Sequence, residues 1–193
     1  DQAVAGARVK VQWTPTINKA DYLSIVPAGS EPGTVSTYLL AGDSTELELP
    51  IDGTPGLYEV RYILTVDKRT VASKMIEATA PNVTLQAPER VLIGETFNFS
   101  WAGTVNRGDY LALVPAGSDE GTLKDYFIAG DTSEGRLTAP DTTGLYELRY
   151  ILREGRRTAA SATVEVTDAA GGRANATLRV KDALPARWAG SNR

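Results

Sequence analysis

The side chains able to do chemistry in this 193-residue chain are carboxylates, hydroxyls, lysine amines and guanidinium groups, because it contains no His and no Cys. The commonest general base and transition-metal ligand is therefore missing. Without Cys there is no thiol nucleophile, no disulfide and no thiolate-held metal. Asp43-Ser44-Thr45-Glu46 and Asp131-Thr132-Ser133-Glu134 gather oxygen ligands of the kind calcium prefers. Their spacing fits no complete calcium loop, so a capped turn is the expected structure. Glu147 and Arg149, like Glu59 and Arg61, lie two residues apart. Acid–base work would require a cleft beside them, and exposed cross-strand pairing is expected instead. Arg107-Gly108-Asp109 spells an integrin-binding tripeptide. Asn82, Asn98 and Asn175 open glycosylation sequons in form. No nucleophile-elbow or phosphate-loop spacing occurs. No residue is assigned as catalytic, cofactor-binding or metal-binding. Four loop residues, Asn106, Arg107, Arg156 and Arg157, remain as candidates for recognition. Together they would form a cationic tip suited to a carboxylate, a sulfated glycan or an acidic partner.

The composition narrows the classes further. A hydrophobic share of 42% is ample for packed cores. A net charge of −4 has the wrong sign for general nucleic-acid binding. No apolar run is long enough to cross a membrane as a helix. Charge is uneven along the chain: residues 1–80 carry seven Lys/Arg and ten Asp/Glu, and residues 81–168 carry eight and thirteen. Residues 169–193 carry five and one, a basic appendix to two acidic blocks.

The elements that would position these groups are set out by an internal repeat. Trp13, Asp21-Tyr22-Leu23, Val26-Pro27-Ala28-Gly29-Ser30 and Arg69-Thr70 recur 88 residues later as Trp101, Asp109-Tyr110-Leu111, Val114-Pro115-Ala116-Gly117-Ser118 and Arg157-Thr158. The alignment needs no gap from residue 11 to about 78, and roughly half of the paired positions are identical, which establishes two copies of one module. Lys19-Ala20-Asp21 stands where the second copy has Arg107-Gly108-Asp109. The two share only the demand for a turn before an Asp-Tyr strand. Module boundaries fall at residues 1–79 and 80–168. By register Asp1 aligns with Glu89, so module 1 is expected to lack its first strand. An unfilled edge of that kind invites association. Trp188-Ala189-Gly190 echoes Trp101-Ala102-Gly103, and residues 169–193 read as a linker and the start of a third module.

Each copy reads as strands. In module 2 these are expected at residues 83–87, 96–101, 109–114, 123–129, 136–139, 145–152 and 158–166, separated by Gly, Pro and Asp turns. The most telling stretch is Gly144-Leu145-Tyr146-Glu147-Leu148-Arg149-Tyr150-Ile151-Leu152, with Gly56 to Leu64 as its counterpart. Tyr146, Leu148, Tyr150 and Leu152 share one strand face. Tyr146, preceded by Asp141 and Gly144, is placed as a tyrosine corner, and Tyr58 likewise. Val60 and Leu148 stand where antibody domains carry a disulfide Cys, so aliphatic packing must replace that bond. In the last strand of module 1, Lys74 takes the place of inward Ala162, and should either slip the register or face solvent. The fold class is all-β: two tandem immunoglobulin-like sandwiches with the start of a third.

Four blocks carry a family resemblance: the Trp of the second strand, Asp-Tyr-Leu-x-x-Val-Pro-Ala-Gly-Ser, Gly-Leu-Tyr-Glu-x-Arg-Tyr-Ile-Leu and Arg-Thr-x-Ala-Ser. With them the module resembles the bacterial immunoglobulin-like repeat that follows von Willebrand factor type A domains in secreted or envelope proteins. The resemblance implies an extracytoplasmic, non-enzymatic array acting as spacer, scaffold or protein–protein interaction module. Its partners would be protein: other modules of the same polypeptide or an envelope partner. The type A domain's metal motif is not in this chain, so no metal site carries over. The alternative is a carbohydrate-binding or accessory sandwich of a secreted enzyme. Sugar binding would need exposed aromatics, for which Tyr38 and Tyr126 are the spare candidates.

Overall fold

The computed structural model describes residues 1–168, so the expected start of a third module at 169–193 lies outside the described residues. Among the described residues there is no helix, and fifteen strands make two successive pairs of sheets. In the first module β1 (Gln2–Val4), β7 (Thr70–Thr79), β6 (Gly56–Ile63), β3 (Tyr22–Pro27) and β4 (Thr37–Leu40) form a five-stranded sheet in that order. It is accompanied by the pair β2 (Arg8–Gln12) and β5 (Glu46–Pro50). The second module repeats this with β9 (Arg90–Leu92), β15 (Thr158–Thr167), β14 (Gly144–Ile151), β11 (Tyr110–Pro115) and β12 (Asp125–Ile128). Its smaller sheet has three strands: β8 (Thr84–Gln86), β10 (Thr96–Ala102) and β13 (Glu134–Thr138). Both modules are immunoglobulin-like β-sandwiches.

The first strand of module 2 is split. β8 pairs antiparallel with β10, and after the break at Ala87-Pro88 the chain crosses to the other sheet, where β9 runs parallel to β15. Proline cannot donate to a ladder, so it suits the point where the chain changes sheet. Among the described residues module 1 carries the later half, as β1 parallel to β7. β1 answers to β9, a short strand that the sequence reading did not include. Lys74 does not slip the register. It opposes Val60 as Ala162 opposes Leu148, and its side chain is exposed.

Alternation places the cores as the strand pattern requires. In module 2 Phe97, Phe99, Trp101, Leu111, Leu113, Leu148, Tyr150 and Val164 are buried together. Aromatic contacts dominate, with Phe127 edge-on to Phe99 at 5.9 Å. Phe99 also faces Gly135 across the ladder, and a Cβ built there would lie 2.5 Å from the Phe99 ring. Module 1 solves the same layer with Val11 opposite Leu47. One large residue and a glycine replace two of middle size, which keeps the layer filled. The tyrosine corners form in both copies: Tyr146 donates its hydroxyl to the Thr142 carbonyl at 3.0 Å, and Tyr58 to that of Thr54 at 2.7 Å.

Two stability outcomes follow, both read by denaturant unfolding. Tyr146→Ala should cost about 3–5 kcal/mol, whereas Tyr146→Phe removes one hydrogen bond and should cost about 1 kcal/mol. Gly135→Ala should cost about 1–3 kcal/mol by overpacking against Phe99. Combining it with Phe99→Val should cost less than the sum of the single changes, because the two sites share one space.

Candidate functional site

The polar groups singled out above resolve into three places: the end of module 2 that faces module 1, a buried Arg on the outer sheet face, and the two acidic turns.

At the facing end the organising group is Asp109, at the entrance to β11 and fully buried. Its Oδ2 accepts from the Tyr150 hydroxyl at 2.8 Å and from the Asn106 backbone N–H at 2.8 Å, and its Oδ1 accepts from the Arg153 N–H at 2.9 Å. One carboxylate thus joins the loop before β11, the end of β14 and the hairpin after it. Burial pushes its pKa above the ordinary carboxylate value, although these hydrogen bonds pull the other way. The Tyr150 hydroxyl is raised too, first by burial and then by its bond to Asp109. Module 1 repeats the arrangement with Asp21, Tyr62, Asn18 and Thr65. The tripeptide Arg107-Gly108-Asp109 consequently presents no free carboxylate. Its Asp is structural, and Arg107 is ion-paired with Asp131.

The four candidate recognition residues are spread along this end. The Asn106 side chain accepts from the Gly108 N–H at 3.0 Å and so shapes its own loop. Arg107 reaches away to Asp131. Arg156 stands over the Tyr110 ring, 5.7 Å from its centroid, a cation–π distance. Arg157 turns toward module 1: it is ion-paired with Glu120, and its Nε donates to Thr54 Oγ1 at 3.3 Å. The Arg157 hydrogen bond holds the Glu120 carboxyl below its usual range. The loop carrying Asn106 and Arg107 does meet the hairpin carrying Arg156 and Arg157, through Gly108 beside Arg153.

The sequence reading missed what this end touches. The hairpin after β14 seats against the turn of module 1 that precedes β6. A Cβ on Gly53 would fall 2.4 Å from the Glu154 carbonyl oxygen, and one on Gly155 2.8 Å from Asp52 Oδ2. Leu152 lies against Gly6. Arg157 is near enough to Tyr58 to act on its hydroxyl electrostatically. Small residues here let two backbones approach, and that was the available sequence signal: Gly53 and Gly155 are not matched by glycine in the other copy.

The Glu–Arg pairs differ from expectation. Arg149 and Arg61 are buried, not exposed. Arg149 Nε donates to Glu147 Oε2 at 2.8 Å on its own strand, and its Nη atoms donate to the Ser118 and Asp119 carbonyls at 2.9 and 3.0 Å. Arg61 does the same with Glu59, Ser30 and Glu31. The turn after Pro-Ala-Gly-Ser folds over the strand face and is pinned by the guanidinium fork. Strand alternation assigns the face, but only the returning loop buries it. These carboxylates serve architecture.

In the acidic turns several of the oxygen atoms are already engaged. Asp43 pairs with Lys19 and Asp131 with Arg107, while the Ser44 and Thr132 hydroxyls donate to the Glu46 and Glu134 carbonyls. Among the described residues no group of three Asp or Glu is placed to hold a metal ion. Tyr38 and Tyr126 are each about half exposed and lean on Tyr22 and Tyr110 with centroids 5.3 Å apart. The interplanar angles are 58° and 85°, so neither pair offers one flat face.

Asp109 sets a pH dependence. Its folded pKa is raised, so its contribution to stability is fully present below the ordinary value of 3.8 and is lost as pH rises through the folded value. In urea titrations across that window the native chain should lose ground against Asp109→Asn as pH rises, since the amide does not ionise.

No protein-family model matches the chain, and no curated protein matches it significantly. Solved structures do resemble it. The chicken CNTN1 FN1-FN3 domains match over 86% of this chain at 10% identity with a TM-score of 0.32, and the match covers 62% of that fragment. The teleost fish polymeric Ig receptor ectodomain matches over 86% of this chain and 95% of its own length, at 13% identity and a TM-score of 0.29. The human OSCAR ligand-binding domain matches over 86% and 90%, at 14% identity and a TM-score of 0.29.

Proposed function

We propose that this chain is a non-catalytic tandem immunoglobulin-like segment of a larger extracytoplasmic protein, and that it works as a stiff spacer and scaffold for protein partners. One observation carries the reading: the backbone-to-backbone seat between the modules. β7 ends at Thr79 and β8 begins at Thr84, so the connection is four residues long and includes Pro81. A short Pro-containing connector has little freedom. Across it Gly53 meets Glu154, Asp52 meets Gly155, and Arg157 bonds to Thr54. Such a joint transmits the orientation of one sandwich to the next instead of acting as a swivel. The secreted or envelope setting and the association with type A domains rest on the four sequence blocks, and belong to this proposal. The polar clusters support it from the other side: the buried carboxylates and guanidinium groups are consumed by loops and turns. Sugar binding is the weaker reading, because the Tyr38 and Tyr126 pairs lack a shared flat face for stacking.

Single-molecule energy transfer between dyes at Val66 and Asp168 tests the joint. The native chain should give one narrow distance distribution. Gly53→Val with Gly155→Val should broaden it while leaving each module folded by circular dichroism. A broad distribution in the native chain would rule out the spacer role.

A further inference from the structure

The seat between the modules joins two unlike surfaces. Gly6, Asp52 and Gly53 of module 1 meet Leu152, Glu154 and Gly155 of module 2. Each surface has a sister in the other copy, 88 residues away, and the sisters differ at three points of the contact. Asp67 stands where module 2 has Gly155, Asp141 where module 1 has Gly53, and Pro32 where module 2 has Glu120.

The two hairpins turn differently. Lys68 and Arg156 correspond, and share positive φ angles of 56° and 54°. Gly155, just before Arg156, also has a positive φ, of 74°, which side chains rarely adopt; Asp67, just before Lys68, does not. Asp67 instead folds its carboxylate onto its own hairpin, accepting from the Arg69 N–H at 3.1 Å and pairing with Arg69 Nε at 3.3 Å. Arg157, the counterpart of Arg69, is ion-paired with Glu120 and reaches across to Thr54. Thus the carboxylate that each Arg finds decides whether it points home or to the neighbour.

The receiving surfaces differ as well. A Cβ at Gly53 would meet the Glu154 carbonyl oxygen at 2.4 Å, and a backbone atom in a packed seat cannot step aside. Asp141 has that Cβ. Its Oδ1 lies 3.7 Å from the Cβ position of Gly94, the counterpart of the Gly6 that receives Leu152 in module 1. A carboxylate therefore stands beside the place of an apolar contact. On the module 1 side, Asp52 Oδ2 lies 2.8 Å from the Cβ position of Gly155. An Asp at that hairpin position would set two carboxylates side by side, the kind of juxtaposition that rejects a wrong partner.

We propose that the seat is selective: the end of module 1 that carries Asp52 and Gly53 accepts a hairpin with Gly at the 155 position and an Arg at the 157 position held by an acidic neighbour, and refuses a hairpin of the module 1 kind. Selectivity of this kind rests on the spacer reading and adds which neighbour the spacer takes. A contact between unlike surfaces can otherwise run on from copy to copy without closing. In that pose the hairpin with Asp67 would meet the end with Asp141, and neither has the glycine that the contact requires.

The test uses the full chain, with dyes at Val66 and Asp168 and the single-molecule readout. Gly155→Asp gives the hairpin the residue of module 1, and the narrow distance population should fall by about ten-fold or more. Gly155→Asn makes the same demand on φ and space without the charge, and should leave that population in the majority. Adding Asp52→Asn to Gly155→Asp removes one of the two carboxylates, keeps the acceptor for the Thr54 N–H, and should restore the narrow population. Rescue from the other module separates loss of the seat from damage to the hairpin itself. A narrow population undiminished in Gly155→Asp overturns the selectivity and leaves the spacer standing, as does failure of Asp52→Asn to restore it. A broad distribution in the native chain overturns both.

Discussion

Much of this molecule depends on one buried carboxylate per module. Asp109 in one copy and Asp21 in the other sit inside the sandwich, where a lone charge is costly unless its oxygen atoms are filled. They are filled by a tyrosine hydroxyl from the adjacent strand and by two backbone N–H groups from loops that have no ladder partner there. Loop backbone must bond to something when it is covered. The Asp answers that need for the loop before β11 and the hairpin after β14 together. Because the hairpin is held in this way, it can serve as a surface on which another module rests.

The joint between modules extends the same logic. Immobile loops with small residues can bring two backbones within contact distance, whereas mobile ones would lose entropy on docking. Gly53 and Gly155 are each required by a neighbouring backbone or carboxylate that leaves no room for a Cβ. The Arg157 side chain spans the seam, bound to Glu120 on one side and Thr54 on the other. The end of the sandwich that would suit recognition in an isolated domain is thereby committed to its neighbour.

The copies also show how one pattern tolerates different packing. Phe99 with Gly135 and Val11 with Leu47 fill equivalent layers with different shapes. Among the described residues the module 1 version is the more open, because no strand lies beside β2 where β8 lies beside β10 in module 2. Its central tyrosines on β6, Tyr58 and Tyr62, nonetheless remain buried, packed in the module 1 core with Leu23, Leu49, Ile51 and Ile76. What opens is the flank, not the centre.

The repeat, the strand faces, the tyrosine corners and the sandwich class were legible in the sequence, because period-two alternation and an exact 88-residue offset are local or self-referential signals. The core positions of Trp101, Leu148 and Tyr150 followed from the same alternation. Asp109 drew notice as part of a tripeptide and of the repeated Asp-Tyr-Leu block, not as a buried group; its burial depends on Tyr150 and Arg153, more than 40 residues away. The Arg149 site was misjudged as exposed because alternation names a face without saying what folds over it. The seating of Gly53 on Glu154 left only two unmatched glycines as a trace in the sequence, since it joins residues about 100 apart in different modules. By itself the sequence determined which side of the long central strands is apolar and that the unit is repeated. Only the tertiary structure decided which polar groups are spent inward and which loop end is occupied by a neighbour. Those outcomes depend on distances between segments, and no local periodicity encodes them.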